Sequence, residues 1–355
     1  MQFIAPILAM ALAGCAAQDA RPAPSASLPS TALPATAMAR AAQVLDAADF
    51  HGEALISPSE GVVHRLVHDD FAGGEAWPWA SVTKQVMAVA TLQQVEAGNL
   101  TLDTPIDSLL PPFAWSEATV GDLLRHQSGF RNPEDEPRGP SGFPDFYGPE
   151  GQTTGGLCQL EGGPVERGSY TYNNCDYIVL GAFLQRASGE LLDTLIARNI
   201  SDPAGWTGTS LLSADQPRAF ASSEPLYPRV LPRFGASGAM VGPLEDMVRF
   251  DRALLDGRLL SPASSDILWR ADGALGFMAL GQWVFDAPLA GCDGPVTIVE
   301  RRGAIGKYQV RNIILPASGT IVAMATDRGE GDYDFGEIWT GSGLTHDMLS
   351  AVACL

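Results

Sequence analysis

Lysine is nearly missing from this chain of 355 residues: two lysines, Lys84 and Lys307, stand against twenty arginines. Arg keeps its charge in any protein environment, whereas a buried Lys can release its proton and take part in catalysis, so each Lys attracts attention. Basic residues are also outnumbered, leaving a net charge of −19 that repels nucleic-acid phosphates and excludes a nucleic-acid partner. The same charge argues against broad docking on an anionic membrane surface. Histidine is scarce, with five in all, and neither the His nor the Cys spacing forms a metal-ligand pattern, so no metal and no cofactor is expected. Low-complexity composition is confined to one short stretch, and with 46% hydrophobic and 18% charged residues the remainder reads as globular. The length suffices for one large domain or two closely packed ones.

A long hydrophobic span is absent too. Residues Phe3 to Ala13 are almost wholly apolar, yet too few to cross a bilayer as a stable helix. They end in Leu12-Ala13-Gly14-Cys15, and small residues before a cysteine resemble the lipobox of bacterial lipoproteins, although no Lys or Arg precedes the apolar run. That resemblance implies a signal peptide over residues 1–14, lipidation of Cys15, and a place in the bacterial cell envelope, periplasm-facing and lipid-anchored. A fully lipidated cysteine supplies the two acyl signals that stable anchoring needs. Residues 15–40, rich in Ala, Pro and Ser, read as a flexible tether ahead of a large domain over 41–355. Four cysteines remain, Cys158, Cys175, Cys292 and Cys354, an even number that suits disulfides in an oxidising compartment. Three pairings are possible, and proximity favours Cys158 with Cys175 and Cys292 with Cys354.

Hydrophobic patterning sets strands at both ends of the chain. Glu53–Ile56 and Val62–Val67 flank a turn, and Gly276–Phe285, Val296–Arg301, Gln309–Leu315 and Thr320–Thr326 follow late in the sequence. Pro316 to Gly319 should close a hairpin. Helices are expected over Ser81 to Ala97, stopped by Gly98-Asn99, over Pro243 to Asp256, and over Asp334 to Val352. The fold class is therefore α/β (α+β): an antiparallel sheet formed by N- and C-terminal segments, flanked by helices, with a mainly helical region inserted at about 100–270.

Three segments could carry chemistry. In Ser81-Val82-Thr83-Lys84, residues i and i+3 share a helix face, so the hydroxyl and amine can meet. A serine hydroxyl needs a neighbour to accept its proton; a neutral, desolvated Lys84 could do so, or a cationic Lys84 could hold a second base ionised. Alone the pattern is weak, since two lysines give it by chance about one time in seven. Tyr172-Asn173-Asn174 adds a phenol that can act as a base beside an ammonium, and an amide that can both donate and accept. Glu300-Arg301-Arg302-Gly303-Ala304 reads as a strand ending in small residues, where a substrate can approach the backbone.

Taken in this order, the three segments resemble the serine β-lactamase and penicillin-binding superfamily, closest to its class C-like branch of β-lactamases, esterases and D-amino-acid peptidases. Asp122-Leu123-Leu124-Arg125-His126-Gln127-Ser128-Gly129-Phe130, Tyr177 to Gly181, Ala236 to Met240 and Glu245-Asp246-Met247 share the likeness, which covers about residues 45 to 350. It implies Ser81 as nucleophile, Lys84 as its activator, Tyr172 as general base and Asn174 as a substrate-positioning group. The backbone N–H groups of Ser81 and Ala304, beside Gly303, would form the oxyanion hole. Arg301 departs from the usual Lys or His; it can grip a carboxylate but cannot shuttle a proton. His126, despite its neighbour Ser128, falls in a segment that packs behind the site in this family. The expected protein is a monomeric serine hydrolase acting through an acyl-enzyme on β-lactams, D-Ala-type peptides or small esters. The alternative is a non-catalytic lipid-anchored protein that binds envelope peptides or penicillin.

Overall fold

The computed structural model describes residues 34–60, 62–67, 76–110, 117–139, 142–147, 158, 167–212 and 227–354. The signal peptide, Cys15, most of the tether and the Gly73-Gly74 loop lie outside them.

Six strands form one antiparallel sheet in the order β2-β1-β9-β8-β7-β6. These are β1 (Gly52–Ser57), β2 (His64–Val67), β6 (Trp283–Ala287), β7 (Val296–Ile305), β8 (Tyr308–Leu315) and β9 (Thr320–Thr326). The early hairpin thus joins the late strands through β1 and β9, with Gly52 opposite Thr326 and Ser57 opposite Ile321. Both faces of the sheet are covered, which is why β1, β8 and β9 are buried along their whole length. Alternate side chains serve two cores. Val322 and Met324 of β9 face a core made with α1 (Ala35–Ala47) and α10 (Leu344–Val352). Ile321, Ala323 and Ala325 face the main core. That core holds α2 (Thr83–Glu96), α3 (Val120–Leu124), α4 (Asn174–Ser188), α5 (Leu192–Ile196), α6 (Asp202–Ala204), α7 (Tyr227–Val230), α8 (Leu244–Leu255) and α9 (Pro262–Leu268). A smaller sheet, β3 (Trp77–Pro78), β5 (Met240–Gly242) and β4 (Ser210–Leu211), ties the approach to Ser81 to the segment after Ser237. Trp77 and Trp79 are core residues here, their indole N–H groups donating to the Glu53 carboxylate and the Gly242 carbonyl.

Three expectations need correction. The tether ends earlier than residue 40: α1 begins at Ala35, and its buried Ala37, Ala41 and Leu45 seal it into the α1/α10 core. The strand expected over Gly276–Phe285 is only Trp283–Ala287, because Gly276, Phe277 and Gly281 take positive φ and turn the chain before it can pair. The closing helix starts at Leu344, not Asp334, because Gly336, Gly341 and Gly343 also take positive φ. The hairpin at Pro316–Gly319 is present, Leu315 pairing with Thr320. Two disulfides join Cys158 to Cys175 and Cys292 to Cys354.

Candidate active site

Ser81 sits in a tight 3-10 turn, Ala80–Val82, that leads directly into α2. Ala80 is forced to a φ of 44°, a costly conformation for a residue with a Cβ, and the turn projects Ser81 toward a cavity. One turn on, Lys84 is fully buried and places Nζ 3.1 Å from Ser81 Oγ. The amine donates to two carbonyl-type oxygens, Asn174 Oδ1 and the Ser237 carbonyl, each at 2.7 Å. A neutral amine has two N–H bonds and one lone pair. In that form its two hydrogens match those acceptors and leave the lone pair for Ser81, whereas in the protonated form the third N–H donates to Ser81 Oγ. Burial pushes the Lys84 amine well below its usual range, and the Arg301 cation lowers it further; Glu134 and Asp176 pull the other way.

Helix α4 brings in the second segment. Asn173 caps it, its side chain accepting from the Cys175 N–H at 2.7 Å, so Asn174 becomes the first helical residue and Tyr172 lies just before the cap. Tyr172 OH is 2.6 Å from Ser81 Oγ. Burial raises its phenol, opposed by Arg301 and by the bond with Ser81. Behind it, the His126 ring packs 4.7 Å from the Tyr172 ring, and His126 Nδ1 pairs with Asp176 at 3.1 Å. Both are fully buried; desolvation holds His126 well below its ordinary value and Asp176 well above. His126 itself does not line the cavity around Ser81, in line with a packing position behind Tyr172.

Strand β7 supplies the third wall. Its pairing with β6 ends at Glu300, opposite Trp283, while β8 accompanies it as far as Ile305. Among the described residues, the stretch from Arg301 onward therefore has an edge without a strand partner, and it lies against the Ser81 turn. Gly303 makes that approach possible: a Cβ there would collide with the Trp79 carbonyl and stand 3.2 Å from the Ser81 amide nitrogen. Arg301 is fully buried. Its Nε donates to the Ser81 carbonyl at 2.9 Å and one Nη to Tyr172 OH at 3.3 Å, while the other Nη is unpartnered among the described residues. Glu300, its sequence neighbour, instead pairs with Arg302 at 3.0 Å and Arg311 at 2.9 Å.

These elements line a cavity of about 570 Å³ that includes Ser81, Tyr172, Asn174, Arg301 and Ala304. The residues singled out from the sequence thus converge. Three contributors were not singled out: the Ser237 carbonyl, Arg302, and Glu134, which accepts from Asn174 Nδ2 at 3.3 Å. Asn132-Pro133 ahead of Glu134 is a legible cap followed by a first-turn proline, and it would have marked a short turn there.

A buried amine pushed below its usual range against a serine hydroxyl, beside a phenol and a strand edge, has the make-up of a serine hydrolase centre. The chain belongs to the Beta-lactamase family, whose model matches residues 53–342. Penicillin-binding protein 4 of Amycolatopsis lactamdurans is 24% identical over 307 residues, 76% of this chain and 77% of that protein. Esterase EstB of Burkholderia gladioli is 29% identical over 190 residues, 48% of this chain and 47% of the esterase. The chain likewise spans about half the length or less of two further curated relatives. A solved D-stereospecific amidohydrolase from Streptomyces sp. shares the fold, with a TM-score of 0.73 at 19% identity over 89% of this chain and 98% of that one.

Proposed function

We propose that the protein is an exported serine hydrolase, held at the envelope by a lipid on Cys15, that opens acyl bonds through an ester on Ser81. The observation that carries this reading is the Lys84 environment: a fully buried amine 3.1 Å from the nucleophile, bonded to Asn174 and to the Ser237 carbonyl, and pushed by burial well below its usual range. Lys84 takes the Ser81 proton as Oγ bonds to the substrate carbonyl carbon. The Ser81 and Ala304 N–H groups receive the developing oxyanion, and glycine at 303 lets the strand pass close to the Ser81 amide. When the carbon–heteroatom bond breaks, Tyr172 hands its proton to the departing nitrogen or oxygen and regains one from Lys84. Water then attacks the acyl-enzyme and releases Ser81. The sequence and the resemblance made Tyr172 the base beside a cationic Lys84; the opposite pKa directions of Lys84 and Tyr172 support giving the first proton to Lys84 and the relay to Tyr172.

The substrate class is an acyl compound with room for a short peptide, a β-lactam or a small ester. A penicillin-binding protein and an esterase among the relatives support that range. Arg301 and Arg302 at one side of the cavity favour a carboxylate near the scissile bond. A serine-directed fluorophosphonate tests the reading: intact mass should show one adduct on wild type and none on Ser81→Ala. Equal labelling of both proteins removes Ser81 as the nucleophile, and no labelling of either leaves a non-catalytic binder.

A further inference from the structure

We propose that Glu134 is a positioning residue of this site: its carboxylate turns the Asn174 amide so that the oxygen faces Lys84, and its negative charge strengthens that amine as the acceptor of the Ser81 proton. The inference rests on reading Lys84 as the proton acceptor.

The geometry begins with Asn132. Its side-chain oxygen accepts from the Glu134 N–H at 3.4 Å and from the Asn174 N–H at 3.1 Å, stapling the Pro133–Asp135 turn onto the start of α4. Glu134 Oε1 then meets Asn174 Nδ2 at 3.3 Å, while Asn174 Oδ1 meets Lys84 at 2.7 Å. A flipped amide would set N–H against the hydrogens of Lys84 and oxygen against the Glu134 carboxylate, two repulsions in place of two bonds. The orientation of Asn174 therefore depends on an acceptor at position 134.

The charge matters separately. Around Lys84, Arg301 of β7 is the neighbouring cation, whereas Glu134 and Asp176 of α4 are the acids. Asp176 is itself desolvated, pushed well toward its neutral form, and engaged by His126 and Ser128. Tyr172 and Tyr177 put ring faces 5.0 and 5.4 Å from Nζ, and burial raises both phenols. Glu134 is the acid that remains in contact with the cavity, its side chain 30% exposed. Burial raises its carboxyl, with Arg138 and Lys84 opposing and Asp135 adding to the rise. Its bond to Arg138 is long, 3.4 Å, and Arg138 is mostly exposed, so that cation screens it only weakly.

The scarcity of lysine supplies the experiment. With ¹³C at lysine Cε, the NMR spectrum carries two signals, Lys84 and Lys307, and reads protonation without any turnover. In Glu134→Gln, which keeps an acceptor for Asn174 but loses the charge, the Lys84 midpoint should fall by about one pH unit or more. Lys307 should not move. Coincident Lys84 midpoints, or a wild-type Lys84 that takes up no proton wherever the protein stays folded, overturn the charge half. For the positioning half, kcat/KM on a neutral p-nitrophenyl ester at its plateau pH should fall about tenfold in Glu134→Ala and under about threefold in Glu134→Gln. Equal plateaus overturn it. An inactive wild type fails the fluorophosphonate test of Ser81 and leaves the NMR midpoints to judge Glu134 independently.

Discussion

Helix α2 carries two neighbouring polar residues, Lys84 and Gln85, that enter different buried networks, and only one of these has the means to react. Lys84 joins Ser81, Tyr172, Asn174 and Arg301 around an open cavity. Gln85 donates to Gln282 at 2.7 Å and accepts from Asn312 at 3.0 Å, and Asn312 also donates to Asp251 at 3.0 Å. Each network holds a titratable group far from its ordinary range: burial drives Lys84 down, and burial drives Asp251 up to about 8 despite its bond from Asn312. The second network, however, lines none of the cavity around Ser81, and it leaves Asp251 Oδ2, Asn312 Oδ1 and Gln282 Nε2 without partners among the described residues. A shifted group marks a reactive centre only where a nucleophile and a space for substrate meet it. Where neither does, the shift is a stability property of the core.

Breaking the first network should show in rate. Lys84→Arg keeps a basic residue but places a permanently charged guanidinium, which cannot act as a base, between Asn174 and the Ser237 carbonyl. Both Lys84→Arg and Lys84→Ala should lower kcat/KM by about 10²–10⁴ on any substrate that wild type turns over. An Arg variant within about threefold of wild type breaks the contrast between Lys84 and Gln85. Arg301 gives the next largest effect and sharpens the picture. From the sequence, Arg301→Ala should slow carboxylate substrates and spare a neutral acetyl ester. Its bonds to the Ser81 carbonyl and Tyr172 hydroxyl now extend some loss to both. With a matched anionic and neutral pair, kcat/KM should fall about 10- to 150-fold for the carboxylate and several-fold less for the ester. Equal falls would mean that Arg301 acts only through Ser81 and Tyr172.

The sequence carried the strands and the reacting side chains because each has a local signature. β8 and β9 carry the apolar runs Ile313–Leu315 and Ile321–Ala325 with a Pro-Ala-Ser-Gly turn between them, and Ser81 and Lys84 are three residues apart where a helix begins. Partners joined only by tertiary contact had no such signature. The Ser237 carbonyl could belong to any residue, and Glu134 reads as one acid in an acidic loop until α4 folds beside it. The elements placed too long, Gly276–Phe285 and Asp334–Val352, failed for one reason: hydrophobic content suggested continuity where glycines, and Phe277 with them, break the backbone with positive φ.

The smallest expected effect on rate, and the clearest on stability, comes from the second network. The Asp251 carboxyl titrates at about 8 in the folded protein and near 3.9 in an unfolded chain, so the native state keeps a proton that the unfolded state gives up. Below about pH 4 both states are protonated and Asp251 imposes no ionisation penalty. As pH rises from about 4 to about 8 the unfolded state ionises alone, and stability declines across that window. Above about 8 the native carboxyl ionises too, and the loss levels off. Asp251→Asn keeps a neutral side chain of the same shape for Asn312 and removes the titration. Its thermal midpoint should therefore exceed that of wild type at pH 8 and approach it as pH falls toward 4. The rate of Ser81 acylation should stay within about twofold, since Asp251 touches none of the reacting groups. Parallel midpoint-versus-pH curves for the two proteins would show that Asp251 is already ionised in the folded core, and a large loss of acylation rate would show that the two networks on α2 act as one.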